Sequence, residues 1–118
     1  MDEEGEGVTA KTLGELLEDE YTRKIIAETS TEALSAQELQ DRCDASAPTI
    51  YRRIEKLQEF GMIDEQQVPD PDGHHYRRFS TRFERVTIEL HDGEYHVAVE
   101  RSQKDAVERF TELYEGLR

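Results

Sequence analysis

The sequence predicts an α+β fold, and three observations carry that expectation. Apolar residues recur at helical spacing through the first half of the chain. Immediately after Gly61 the period changes from helical to alternating. Further on, two alternating runs flank Asp92-Gly93, the dipeptide that most strongly signals a two-residue hairpin turn.

The first helix is expected from Thr12 to Thr29, with Leu13, Leu16, Leu17, Tyr21, Ile25 and Ile26 as its apolar positions. Thr12 and Glu15 have the spacing of a capping box, and Asp19 can cap a second start, so this stretch is one helix or two. "STEA", residues 30–33, reads as a connector. A short helix follows, opened by the capping-box pair Ser35 and Glu38, with Ala36, Leu39 and Cys43 on one face. That placement makes Cys43 a small buried residue rather than a reactive thiol or a metal ligand. "DAS", residues 44–46, is a tight turn. Ser46 is a suitable N-cap, and Pro48 is tolerated in a first helical turn because the amides there lack intrahelical partners. The third helix therefore runs from Ala47 to Phe60 and stops at Gly61.

Residues 62–68 and 75–81 read as two strands, with "PDPDG", residues 69–73, as the turn-rich tip between them. Strands over residues 85–91 and 94–100 form the next hairpin. A two-residue turn at Asp92-Gly93 pairs His91 with Glu94, Leu90 with Tyr95, Glu89 with His96, Ile88 with Val97, Val86 with Val99 and Arg85 with Glu100. One face is then wholly apolar and the other polar. The chain closes with a helix from about Lys104 to Leu117, whose stripe of Ala106, Val107, Phe110, Leu113, Tyr114 and Leu117 must be buried somewhere.

Helix, short helix, tight turn, helix and a two-stranded wing is the order of a winged helix-turn-helix, here with an extra β-hairpin and a C-terminal helix. The division is an acidic tail (1–11), a winged helix-turn-helix domain (12–82), and a hairpin plus closing helix (83–118) as a dimerisation element. On the third helix, Ile50, Ile54 and Leu57 form the core side. Thr49, Arg52 and Lys56 line the opposite side beside Tyr51. Arg can donate two hydrogen bonds to a guanine edge, and Thr can touch a thymine methyl. The small residues Ser46, Ala47 and Pro48 let the helix start approach a duplex, where backbone amides favour phosphate. Arg53 on the flank, and His74, His75, Arg77 and Arg78 in the wing, complete a candidate DNA-binding set, with the wing suited to phosphate or minor-groove contact.

The charge balance qualifies this reading. The chain of 118 residues has a net charge of -13, with 28 acidic against 15 basic residues. Residues 1–45 hold 13 acidic and 4 basic residues, whereas residues 46–60 hold 3 basic and 2 acidic, so acid is depleted over the expected reading helix. Only four residues are lysine against eleven arginines, an acidic, lysine-poor pattern similar to that of proteins from salt-accumulating haloarchaea. There is no long apolar run for a transmembrane helix. The start lacks the pattern of a signal peptide, and one cysteine allows no internal disulfide, so a cytoplasmic location is expected.

The stretch "LLEDEYTRKIIAETS…LSAQELQDRCDASAPTIYRRIEKLQEFGMID" resembles the winged helix-turn-helix core of ArsR-like transcription regulators, in their small haloarchaeal branch. The resemblance runs from about Leu16 to Arg82, and "SAPTIYRRIEKLQEFGMI" is its most specific part. It implies a homodimeric regulator of operator DNA, with residues 46–53 as the reading segment and 74–78 as the wing. The paired cysteines or Asp/His clusters of metal-sensing members have no counterpart in lone Cys43, so neither a metal nor a cofactor is expected. No Ser/His/Asp or Cys/His arrangement or phosphate-binding Gly loop supports an enzyme. The alternative to double-stranded DNA as partner is a winged-helix protein-interaction module without DNA binding.

Overall fold

The computed structural model describes residues 7–101. It has four helices, α1 (Ala10–Glu18), α2 (Glu20–Thr31), α3 (Ala36–Cys43) and α4 (Ala47–Glu59). Five strands accompany them: β1 (Leu34–Ser35), β2 (Ile63–Pro69), β3 (His75–Thr81), β4 (Phe83–His91) and β5 (Glu94–Arg101). The fold is a winged helix-turn-helix followed by an extra β-hairpin. The closing helix expected from Lys104 to Leu117 lies outside the described residues.

The opening stretch is two helices, and Asp19 is the reason. Its carboxylate accepts the Thr22 amide and the Thr22 hydroxyl, each at 2.8 Å, which caps the start of α2. Arg23 reaches back and donates to the carbonyls of Leu17 and Glu18 at 2.6 and 3.0 Å, closing the end of α1. The cap of α1 is Thr9, which accepts the Thr12 amide, and not the expected Thr12–Glu15 box. Helix α1 thus begins within the stretch assigned to an acidic tail, and Val8 just before it is buried. Helix α2 runs through Thr31, further than expected, and the connector after it contains β1, a two-residue strand invisible to any periodicity.

The next elements follow the local chemistry. Ser35 and Glu38 form a complete reciprocal capping box on α3. Asp44 takes the left-handed conformation (φ 53°) in the turn, and Ser46 caps α4 by accepting the Thr49 amide. At the far end of α4, Gly61 (φ 68°) lets the Met62 amide return to the Leu57 carbonyl and its own amide to Gln58. This pair of bonds is a Schellman stop, and buried Met62 supplies its apolar contact. The helix ends at Glu59, with Phe60 as its cap.

Strand β3 is central in a three-stranded antiparallel sheet of order β1-β3-β2. Phe79 on β3 sits opposite Leu34 and Glu65, and its ring is almost fully buried. All four helices supply the rest of the core, through Leu13, Leu16, Ile25, Leu39, Ile50, Ile54 and Leu57. Burying each of the large aliphatic side chains contributes about 1.5–3 kcal/mol. A buried polar pair ties α2 to the sheet. The Thr29 and Thr81 hydroxyls lie 2.9 Å apart, with the carbonyls of Ile25 and Ile26 at 2.7 and 2.8 Å, and their two protons serve two of these three contacts.

Strands β4 and β5 form a separate two-stranded sheet, and every expected cross-strand pair from Arg85–Glu100 to His91–Glu94 is present. Asp92 and Gly93 both have positive φ, the type I′ turn that matches strand twist. A bulge at Glu84 lengthens β4 to Phe83. Among the described residues only the base of the hairpin meets the core: Val99 is buried, while Phe83, Val86 and Val97 pack at its edge.

Asp19→Ala removes the α2 cap and, as shown below, the partner of Arg53. It is expected to lower stability by about 2–3 kcal/mol at neutral pH. Arg53 holds the Asp19 carboxyl well below the usual carboxylate range. A depressed pKa stabilises the fold above the unfolded value near pH 4 and loses that effect as pH falls below it. Thermal melts of wild type and variant should therefore converge as the pH drops from about 4 towards 2. A gap that persists at low pH would show that the carboxylate charge plays no part.

Candidate nucleic-acid interface

Helix α4 is held by one face. Ile50, Ile54 and Leu57 are each no more than 2% exposed, and this fixes the rotation of the helix. The opposite face opens to solvent with Pro48, Arg52, Lys56 and Glu59 exposed and Thr49 half-buried. Ser46 and Pro48 are exposed at the helix start and Ala47 is half-buried, so the chain has little bulk there. The Ser46 hydroxyl is engaged with Thr49, both at the amide and at the hydroxyl, 3.1 Å away.

The five basic side chains expected at this surface divide by partner. Arg52 makes no hydrogen bond or ion pair among the described residues. The Lys56 ammonium lies 5.8 Å from the Phe60 ring centre and has no carboxylate partner among those residues. Arg53 does not join them. Its guanidinium turns back to Asp19, donating from Nε and Nη2 at 3.1 and 3.0 Å, and lies over the Tyr21 ring. Both partners are about three-quarters buried, and Asp19 in turn raises the Arg53 pKa. Arg53 is therefore a strut between α4 and the α1–α2 junction, a role that its sequence position 34 residues from Asp19 could not reveal.

In the wing, strand alternation puts Arg77 and Phe79 on the side facing α4, and Tyr76 and Arg78 on the other. Arg77 lies over Tyr51 of α4 (5.8 Å) and over Phe79 (5.7 Å), and pairs with Glu65 of β2 at 3.3 Å. Gln58 of α4 donates to the same Glu65 carboxylate at 2.8 Å. Tyr51, Arg77, Glu65 and Gln58 thus form a bridge that joins helix and wing. Arg78 lies over Tyr76 (5.5 Å) and donates to its hydroxyl at 3.1 Å, and its Nε has no partner. His74 and His75 are exposed at the tip beside the turn at residues 70–73. Of the wing's acids, Asp64 and Glu65 lie on β2, where Asp64 pairs with Arg82, and Asp70 and Asp72 lie in the tip turn beside the histidines, so the basic run on β3 is partly offset.

Two contributors were missed from sequence. Tyr76 lies inside the basic run, and counting strand alternation would have paired it with Arg78. Glu65 could be found only from the sheet register. Cys43 is buried, and burial pushes its thiol pKa up. Among the described residues no group of three or more His, Cys, Asp or Glu is placed to hold a metal ion. No helix among them is long and apolar enough to cross a membrane.

This geometry, a half-buried helix presented by a short helix and tight turn with a wing beside it, defines the class. Residues 16–66 match the family model described as helix-turn-helix domain. The match covers the chain from Leu16 of α1 through the first four residues of β2, and so includes the whole helix-turn-helix but not β3, the second strand of the wing. No curated protein sequence matches the chain. Helix-turn-helix domains are DNA-binding units that place their second helix in the major groove.

The helix-to-wing bridge gives a separate expectation. Tyr51→Ala removes a cation–π contact worth about 0.5–1 kcal/mol. Backbone amides of residues 66–77 should then exchange roughly two- to five-fold faster, with those of α2 unchanged. Unaltered exchange in the wing would show that Tyr51 does not restrain it.

Proposed function

We propose that the chain is a sequence-specific DNA-binding transcription regulator that works as a homodimer. The observation that carries this is exposed Arg52 and Lys56, with half-buried Thr49, on the outward face of a helix whose opposite face is locked in the core. Neither cation has a carboxylate partner among the described residues, although Glu59 shares the face. Arg52 reads a guanine edge, Thr49 meets a base edge or methyl group, and Lys56 takes a phosphate. Ser46, Ala47 and Pro48 bring the helix start close to the backbone. His74, His75 and Arg78 extend contact along the duplex from the wing, while Tyr51 and Arg77 set its angle. A twofold dimer would present two such helices to half-sites about one helical turn apart.

The ArsR-like, haloarchaeal reading supplies the setting for so acidic a protein. At about 1 M salt the Debye length is near 3 Å, so the field of the net charge of -13 is screened beyond close contact. Counterion release then adds less to affinity, and binding leans on short, oriented hydrogen bonds.

The test uses a duplex selected from a random pool and fluorescence anisotropy in stepped KCl. Arg52→Ala should weaken binding by about 1–3 kcal/mol and relax preference at one base position. Lys56→Ala should weaken all sequences alike and flatten the salt dependence by about one unit of slope. The double variant should bind no selected site while keeping the wild-type melting temperature. Unchanged affinity in that variant would overturn the assignment of α4 as the reading helix.

A further inference from the structure

The outward face of α4 carries two acids as well as its cations. Glu55 and Glu59 are exposed, and neither has a hydrogen bond or ion pair among the described residues. Each stands one turn from an equally unpaired cation, Glu55 three residues after Arg52 and Glu59 three after Lys56. At about 100° per residue the four fall on two adjacent ridges, Arg52 with Lys56 and Glu55 with Glu59. The acidic ridge is on the wing side, beside Tyr51. Each ridge is a like-charge pair at i, i+4, which opposes helix formation. Glu59 is also the last residue of α4, where the helix dipole disfavours an anion. Interleaved charges would favour the helix, so this arrangement does not serve the stability of α4. Nor does the wing use Glu55: Arg77 lies over Tyr51, one turn before it, yet pairs with Glu65.

We infer that Glu55 selects a cytosine in the bound sequence, next to the guanine that Arg52 reads. This rests on α4 as the base-reading helix and adds a specificity-determining residue to it. In the major groove guanine offers the acceptors O6 and N7, thymine the acceptor O4, and adenine an acceptor beside its amine. Cytosine alone presents a donor, its N4 amine, with no acceptor on its own edge. An ionised carboxylate can only accept. Glu55 therefore gains a hydrogen bond at cytosine and meets an acceptor, or is left unpaired out of water, at the other bases. Discrimination comes as much from that rejection as from the bond. Side chains at i, i+3 are about 5–6 Å apart at Cβ, which suits neighbouring base pairs stacked about 3.4 Å apart. Glu59 is one turn further from the helix start that enters the groove, and it faces the phosphate backbone. There its charge weakens every sequence alike, which makes it the internal control for Glu55.

The experiment selects duplexes from a random pool with the full chain and its Glu55→Gln, Glu55→Ala, Glu59→Gln and Arg52→Ala variants, and reads base preference position by position. The position that Arg52→Ala relaxes marks the guanine. Wild type should select cytosine next to it and bind about tenfold more weakly when that cytosine is replaced. Glu55→Gln should move the preference there, and nowhere else, towards adenine, whose N7 and N6 amine match the donor and acceptor of an amide. Glu55→Ala should leave that position without preference. Glu59→Gln should bind all sequences more tightly and keep the wild-type motif. Both glutamine variants should melt no lower than wild type, since each relieves a like-charge pair. Three outcomes sink the inference: wild type selects another base at that position, the Glu55 variants keep its preference at every position, or Glu59→Gln shifts preference as Glu55→Gln does. With any of these, a position relaxed by Arg52→Ala keeps α4 as the reading helix and removes only Glu55 from its readout. If Arg52→Ala relaxes no position, or no duplex is selected, the reading of α4 falls together with the inference.

Discussion

The carboxylate of Asp19 is the node on which the presentation of α4 depends. It ends one helix and starts the next, because its oxygens satisfy the amide and hydroxyl of Thr22. The same carboxylate receives two hydrogen bonds from Arg53 on α4. A bidentate pair fixes distance and plane as well as charge, so it constrains rotation in a way that a single contact would not. Since α4 advances about 100° per residue, holding Arg53 against the α1–α2 junction directs Arg52 away from it. The aliphatic face of Ile50, Ile54 and Leu57 acts in the same sense. The free arginine is free because its neighbour is not.

This pairing also resolves the contradiction between an acidic chain and a polyanionic ligand. Arg42, Arg53, Arg77, Arg82 and Arg85 each have a carboxylate within 4 Å and serve the fold. Arg52, Lys56 and Arg78 have none within that distance and stand on α4 and the wing, while Lys11, Arg23 and Lys24, also without one among the described residues, lie on α1 and α2. Total charge is a poor guide here, because a paired arginine contributes little field beyond its partner. What a duplex would meet is the small set of cations that the protein has not already neutralised.

Much of the fold is legible in the sequence because the decisive signals are local. The Ser35–Glu38 box, the Ser46 cap, the Gly61 stop and the Asp92-Gly93 turn each act within four or five residues, and each is where the sequence implies. The hairpin register follows from the turn alone. The features that escape are those made by distant partners. Strand β1 exists only because Leu34 and Ser35 lie beside Phe79 and Arg78. The break at Asp19 is written locally, but one helix and two are equally consistent with the pattern until Arg23 and Thr22 choose. Arg53 reads as one more basic residue until Asp19 is brought to it. Exposure of the hairpin's distal face is similarly hidden, since an alternating strand looks the same whether or not a layer lies beneath it.

The bridge between helix and wing completes the mechanical argument. Glu65 accepts from Gln58 on α4 and from Arg77 on β3, while Arg77 also lies over Tyr51. These side chains are largely exposed, so each contact is weak on its own. They nevertheless share members, and a move of the wing away from α4 would break several at once. Helix and wing therefore meet a ligand as one surface with a set angle. Arg77 within that surface holds the angle, which leaves Arg78, held by Tyr76 but with no carboxylate within 4 Å, and the exposed tip histidines as the wing's other basic groups. The division of labour is the same as on α4, where one of two adjacent arginines fixes the frame and the other faces outward.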